Sequence, residues 1–277
     1  MSTRQLLDDE QGTGASASAL KQVTVQRLRL RQLDPLACTD QVAVEAAVAL
    51  SFNGLSHAVM MATPTALDAL GLGFALSEGI IDTLDQCLDL SVLERAQGTE
   101  VAMQISTRAF EALKGRRRSM EGRSGCGLCG IDSLEALGRW PAPARPPTPH
   151  AVDIAVLVDA FAQLPDRQPL NQRTGGCHAA GWATPDGRLQ WVFEDVGRHN
   201  ALDKLIGHLA ARQLLHSPGA VILSSRASFE LVRKCAQVGI GTMATISAPS
   251  SLAIEVAQAS SVALLGFCRH EGAVRYA

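Results

Sequence analysis

The clearest chemical signal in the sequence is a pair of thiols three positions apart, Cys126 and Cys129. They lie in Ser124-Gly125-Cys126-Gly127-Leu128-Cys129-Gly130-Ile131, with a glycine beside each, and a basic run precedes them: Lys114, Arg116, Arg117, Arg118 and Arg123. Glycine takes positive φ at little steric cost, so a mobile, exposed loop presenting two thiols is expected. Neighbouring cations favour thiolate, the reactive form of cysteine. Three chemistries fit the pair. Dithiol redox is one, although thioredoxin-like pairs commonly have aromatic or proline neighbours and this one is ringed by glycines. Zinc is the second, but one Cys-x-x-Cys supplies two of the four ligands of a structural site. The sequence has no second such motif, and Cys177 with His178 would have to complete the set as adjacent residues. The third is persulfide transfer, in which a thiolate takes a sulfur atom from a donor and hands it on; a mobile, electropositive loop suits a thiol that must visit two partners.

Further chemistry gathers in the second half. Thr174-Gly175-Gly176-Cys177-His178 offers a thiol beside a base, the pairing that activates cysteine nucleophiles. Adjacent residues of a strand point to opposite faces, so Cys177 suits the core equally well, and His178 is the better site candidate. Glu194-Asp195-Val196-Gly197-Arg198-His199-Asn200 precedes an apolar helix, whose first N–H groups would favour an anion; a capped helix start with surface charges reads equally from the same residues. Ser224-Ser225-Arg226-Ala227-Ser228 and Ser247-Ala248-Pro249-Ser250-Ser251 place small hydroxyl residues between a strand end and a helix start, without a Walker or GxGxxG pattern. Together the three stretches suggest a pocket for a phosphorylated, nucleotide-like ligand. Cys38, Cys87 and Cys235 carry no motif and are read as structural.

The elements that must position these groups follow from periodicity and punctuation. Strands are expected at 23–33, 42–52 and 55–61, with Asn53-Gly54 as a hairpin turn between the last two. Thr63-Pro64 reads as the cap and first turn of a helix, which Gly71 and Gly73 should weaken. A strand at 100–106 and a short helix at 107–114 lead into the cysteine loop, and a helix is expected at 131–137. Five prolines between Trp140 and Pro149 exclude regular structure and mark an extended linker. Beyond it, a helix over 152–164 precedes a hairpin turning at Asp186-Gly187. Strands at 220–223, 242–246 and 262–267 then alternate with helices. Strand, polar loop and helix repeating in this way imply an α/β layer with a partly parallel sheet and its polar loops at the strands' carboxyl ends.

The totals bound the reading. The chain of 277 residues is 47% hydrophobic, 19% charged and carries a formal net charge of −2. This is a soluble globular composition with an ample core and no basic excess for wrapping nucleic acid. No apolar run is long enough for a membrane helix, and Met1 to Lys21 lacks a secretory core. Seven scattered cysteines suit a reducing cytoplasm better than a disulfide framework. The expected organisation is a disordered tail over 1–21, an N-terminal α/β subdomain over 22–139, the linker over 140–150 and a C-terminal α/β subdomain with the pocket over 151–277.

Several segments, in order, resemble the formate dehydrogenase accessory sulfurtransferase family, FdhD. They are Phe52-Asn53-Gly54 with Met60-Met61-Ala62-Thr63-Pro64, Leu72 to Ile81, Cys126 to Gly130, Thr174 to His178, Glu194 to Lys204, Ser224 to Ser228, and Gly266-Phe267-Cys268. The likeness covers about residues 40 to 277. It implies a cytidine-deaminase-like mixed sheet with helices and a smaller N-terminal β-rich subdomain. It implies a cytoplasmic sulfurtransferase that receives persulfide sulfur from a cysteine desulfurase. The acceptor would be the bis(molybdopterin guanine dinucleotide) molybdenum cofactor destined for formate dehydrogenase. Cys126 would carry the persulfide and Cys129 assist, and the cofactor pocket would include Phe267, Cys268, Arg269, His270, Glu271 and Gly272. For the guanine dinucleotide arms that the resemblance implies, Asp195 or Glu194 could accept hydrogen bonds from a guanine edge, Arg198 and Arg226 could offset phosphate charge, and the hydroxyl-rich helix starts with Ser225 and Ser247 could receive the phosphates. A homodimer is implied, with neither nucleic acid nor membrane as partner. The deaminase pattern, His-x-Glu followed by Pro-Cys-x-x-Cys, is missing from the sequence, so neither zinc nor deamination is expected. A cofactor-binding chaperone without sulfur transfer, or a dithiol oxidoreductase, are the rival readings.

Overall fold

Asn53 and Gly54 both adopt positive φ, 48° and 79°. They turn strand β3 (Ala46–Phe52) back into β4 (Leu55–Ala62), as an Asn-Gly pair should. The computed structural model describes residues 19–28, 36–120, 146–150, 152–269 and 272–277. The expected helix at 131–137, most of the tail and most of the proline-rich linker therefore lie outside the described residues.

The expected strand over 42–52 divides. β2 (Leu36–Ala43) pairs antiparallel with β1 (Leu20–Arg27), which includes the last two residues of the expected tail. β3 instead joins a four-stranded sheet in the order β4-β3-β6-β5, with β5 (Cys87–Arg95) and β6 (Gly98–Ile105). Alternation runs across the break, so periodicity alone joined two strands whose partners differ.

Thr63-Pro64 does not cap the helix that follows. Helix α1 (Leu67–Ser77) starts from Ala66 in the left-handed region, with no side-chain cap; the polar groups of Thr63 are engaged elsewhere, as described below. Helix α2 (Thr107–Met120) extends further than the sequence suggests.

The second half forms helix α3 (Ile154–Gln163), a short helix α4 (Pro169–Thr174), the hairpin β7 (His178–Ala183) and β8 (Leu189–Asp195), and helix α5 (Arg198–Ala211). Then β9 (Ala220–Leu223), β10 (Thr242–Thr245) and β11 (Ala263–Arg269) alternate with α6 (Phe229–Gln237) and α7 (Ser251–Ala259), and β12 (Gly272–Arg275) closes the order. The six strands form one mixed sheet, β12-β11-β10-β9-β7-β8, parallel across β9, β10 and β11. Its two faces pack differently. Val221 and Leu223 of β9 meet α5, α6 and α7 in the larger core, whereas Ile222 faces Leu157 and Phe161 of α3 in a smaller one.

The larger core is shared by the two sheets. It takes Val48, Leu50, Phe52 and Met103 from the first and Leu202, Leu205, Val221 and Met243 from the second half. The crossing of α1 and α5 is what lets the halves meet. A Cβ on Gly73 would lie 1.8 Å from the Asp203 carbonyl oxygen, and one on Gly207 would lie 2.0 Å from that of Ala69. Of the two glycines expected to weaken α1, Gly73 therefore permits its backbone to touch α5, and Gly71 makes room for Val101 of β6. Among the described residues no helix is long and apolar enough to cross a membrane.

Candidate functional site

Strand register brings the polar loops to one edge of the six-stranded sheet. His178 opposes Asp195, Ala180 opposes Leu223, Leu223 opposes Thr245 and Ala244 opposes Leu265. His178, Ser225, Ser247 and Phe267 each lie two residues beyond a paired position at the same end, so the expected edge forms. Its loops are tied to one another: Ser250 N–H donates to the Ala227 carbonyl at 3.0 Å, and Phe267 N–H to that of Ser247 at 3.4 Å.

The charged motif before α5 faces mostly inward. Asp195 is fully buried. Its Oδ2 accepts from Thr63 N–H at 3.0 Å and lies 2.6 Å from Lys204 Nζ; its Oδ1 accepts from Gly197 N–H at 2.8 Å and Asn200 Nδ2 at 2.9 Å. Thr63 Oγ1 accepts from Val196 N–H at 3.1 Å, and its carbonyl accepts from Lys204 Nζ at 3.0 Å. The motif thus clamps the turn after β8 to the chain leaving β4. Asp195 was expected to meet a guanine edge; with four donors around its carboxylate and no exposed surface, it is instead part of this clamp. Glu194 is likewise engaged, accepting from Leu170 and Asn171 N–H at the start of α4. A second buried group joins three helices. Lys234 Nζ lies 2.9 Å from Asp203 Oδ2, 2.8 Å from Glu78 Oε1 and 2.9 Å from Ser77 Oγ. Burial opposes the Lys234 charge, but Asp203 and Glu78 outweigh it and hold the pKa above its ordinary value.

What remains on the edge is cationic and aromatic. His178, Arg198 and His199 are part-buried, and Arg226 and Arg269 are exposed. No carboxylate among the described residues pairs with Arg198, Arg226 or Arg269. Burial, then the nearby Arg198 cation, pushes the His178 pKa down against the pull of Asp195. The same two causes lower His199 to about 4, so both imidazoles are neutral near pH 7. His199, which the sequence places only at the helix start, has its Nε2 3.9 Å from Glu230 Oε2. Phe267 holds φ 53° and exposes its ring, with the Arg269 guanidinium 5.7 Å from the ring centroid. A non-glycine residue in that region is uncommon and costs energy. Ser228 starts α6 without a side-chain cap, and its Oγ is buried without a partner, leaving first-turn N–H groups free to meet an anion.

The other expected site residues divide. Ser247 lies part-buried on the edge and Gly272 opens β12 beside Arg269. Ser225 is buried, donating to the Arg226 carbonyl at 3.1 Å. Cys268 corrects the expectation: strand alternation turns it into the smaller core, fully buried, and burial raises its thiol to about 11. Cys177 is also buried, with a raised pKa from the same cause. Cys126, Cys129, His270 and Glu271 lie outside the described residues. Among the described residues no cluster of three or more His, Cys, Asp or Glu side chains could hold a metal ion.

Comparison with known proteins places this edge in a lineage. The sulfur carrier protein FdhD of Chromobacterium violaceum is 53% identical over 238 residues, covering 86% of this chain and 88% of the relative. That of Cupriavidus necator is 48% identical over 249 residues, covering 90% and 86%. A crystal structure described as a formate dehydrogenase accessory protein from Desulfotalea psychrophila superposes with a TM-score of 0.68 at 23% identity. It covers 94% of this chain and 96% of that one, and so shares the mixed α/β fold. The family model of FdhD/NarQ matches residues 43–277. The chain belongs to the FdhD/NarQ family.

Proposed function

We propose that the protein is a cytoplasmic sulfur carrier, with Cys126 as the persulfide-bearing thiol. Its donor is a cysteine desulfurase, and its acceptor is the bis(molybdopterin guanine dinucleotide) molybdenum cofactor required by formate dehydrogenase. The observation that carries this reading is the sheet edge where, among the described residues, Arg198, Arg226 and Arg269 stand without carboxylate partners beside the exposed ring of Phe267. Arginine suits phosphate because its planar fork can donate two parallel hydrogen bonds. The Phe267–Arg269 pair suits stacking of a flat base, and the uncapped start of α6 suits a second phosphate. A dinucleotide with a pterin needs all three. In this reading the six-stranded half is a cytidine-deaminase-like layer whose edge holds cofactor, and two chains associate as a homodimer.

The chemistry balances in simple steps. The Cys126 thiolate attacks the terminal sulfur of the donor's persulfide; the donor's S–S bond breaks, its thiolate leaves, and a persulfide forms on Cys126. Delivery of that sulfur as sulfide requires two electrons. Attack by Cys129 on the inner sulfur of that persulfide supplies them, leaving a Cys126–Cys129 disulfide. The neutral imidazole of His178, on the edge, can accept the proton released there.

The test is complementation of a strain lacking its own family member. Formate dehydrogenase activity should return with the wild-type chain, fail with Cys126→Ala, and fall sharply with the Arg198→Ala, Arg226→Ala double variant. Full restoration by Cys126→Ala would leave the chaperone reading in its place.

A further inference from the structure

The exposed ring of Phe267 depends on an irregularity in its strand. Gly266 opposes Val274 and Arg269 opposes Gly272, so Phe267 and Cys268 together stand opposite one residue of β12, Ala273. A bulge of this two-against-one kind re-aims side chains. Here Cys268 enters the smaller core and the ring of Phe267 reaches the surface. Phe267 follows the bulge with φ 53°, and such a conformation persists only where its surroundings hold it. What holds it is the neighbouring loop. Phe267 N–H donates to the Ser247 carbonyl at 3.4 Å, and a Cβ on Gly266 would lie 3.0 Å from that same oxygen. The carbonyl is fixed in turn by Thr245, the last residue of β10, which is fully buried. Its Oγ1 donates to the Ser247 carbonyl at 2.7 Å and lies 3.3 Å from the Leu265 carbonyl. The first of these is an ordinary hydroxyl bond, whereas the Phe267 amide bond is long. The Thr245 hydroxyl, more than the amide, therefore decides where the Ser247 oxygen stands.

We propose that Thr245 is a positioning residue for ligand binding at the edge: its hydroxyl sets the Ser247 carbonyl, which holds Phe267 in its left-handed conformation with the ring presented for stacking on a flat base. This rests on the nucleotide-binding edge proposed above. Thr245 has no exposed surface, so it acts through Ser247 and Phe267 and touches no ligand itself. Without the hydroxyl, the Ser247 carbonyl is free to turn, the long amide bond from Phe267 is lost, and the residue relaxes out of the uncommon region. A ring that is already in place costs nothing further to order when a base arrives, and a relaxed one must be ordered at the expense of affinity.

The experiment uses the full chain, first without ligand and then with guanosine diphosphate as the probe. Thr245→Val replaces the hydroxyl by a methyl of similar size. Without ligand, it should speed amide hydrogen exchange in the peptide spanning Leu264 to Arg269, read by mass spectrometry, and Thr245→Ser should restore the wild-type rate. By calorimetry, Thr245→Val should weaken guanosine diphosphate binding about tenfold, the scale of one hydrogen bond, and Thr245→Ser should bind as the wild type does. In a Phe267→Ala background there is no ring to position, so adding Thr245→Val should change binding by less than about twofold. Should Thr245→Val not fold, Thr245→Ala, which adds no bulk, makes the same comparisons. Unchanged exchange and unchanged binding in Thr245→Val would overturn the role of Thr245. An equal weakening with and without the Phe267 ring would overturn it too, by showing an effect on the fold rather than on the ring. Faster exchange in Thr245→Val, with no binding by the wild-type chain, would overturn the nucleotide reading of the edge and the positioning role that rests on it.

Discussion

Lys204 and Asp195 are both fully buried, 2.6 Å apart, and each is also hydrogen-bonded to the Thr63 backbone. Breaking such a pair from one side leaves a charge with no compensation, so Lys204→Met should cost about 3–5 kcal/mol in urea denaturation. Arg198, three residues after Asp195 and only part-buried, should behave oppositely. Arg198→Ala should change stability by within about 0.5 kcal/mol while weakening anion binding. The sequence shows the polar types in this motif but not their direction. Asp195 and Glu194 read as candidate ligand groups because a buried clamp and a ligand cradle use the same chemistry. Only the partner 132 residues away in sequence, Thr63, reveals the clamp, and Thr63 itself reads locally as a helix cap. Cys268 misleads for a simpler reason: alternation puts it on the face opposite its neighbours Phe267 and Arg269.

At the scale of elements, most of what lay in the sequence was local. The Asn53-Gly54 turn, β9, α6 and the helix after the charged motif follow from turn chemistry and from apolar spacing within each segment. The break between β2 and β3 does not, because it depends on which strand each segment pairs with. Nor does the meaning of Gly73 and Gly207, which depends on a helix far away in sequence. Gly207→Ala would drive a methyl against the Ala69 carbonyl, 2.0 Å from it. Overpacking of this kind typically costs about 1–3 kcal/mol and should appear as a lowered thermal midpoint. Helix α5 also carries an acid-sensitive group. The ring of His208 lies 5.3 Å from Trp191 and 5.1 Å from Phe193, and its Nε2 accepts from Arg212 Nε at 3.0 Å. Burial, then Arg212, lowers its pKa from 6.5 to about 4. The folded chain therefore binds fewer protons than the unfolded chain between those values. The stability this contributes is present above about pH 6.5 and is lost as pH falls toward 4. His208→Gln should flatten that part of a stability-versus-pH curve measured by urea denaturation.

Across the whole molecule, one core unites two sheets, and the shared helices α1 and α5 carry both buried charge groups to the base of the cationic edge. That arrangement predicts a rigid platform for an anionic ligand. Guanosine diphosphate should bind with a dissociation constant between low micromolar and millimolar, about 4–8 kcal/mol, as read by calorimetry. Binding should weaken with added salt and with Arg226→Ala, and adenosine diphosphate should bind more weakly. The central claim is that the chain carries sulfur on Cys126, and the intact mass of the protein tests it most directly. After incubation with a cysteine desulfurase and cysteine, the wild-type chain should gain the mass of one sulfur atom, removable by a reducing thiol. Cys126→Ala should gain none, while Cys129→Ala should still be loaded. A wild-type chain that acquires no sulfur, or a Cys126→Ala chain that acquires it equally, would contradict the account.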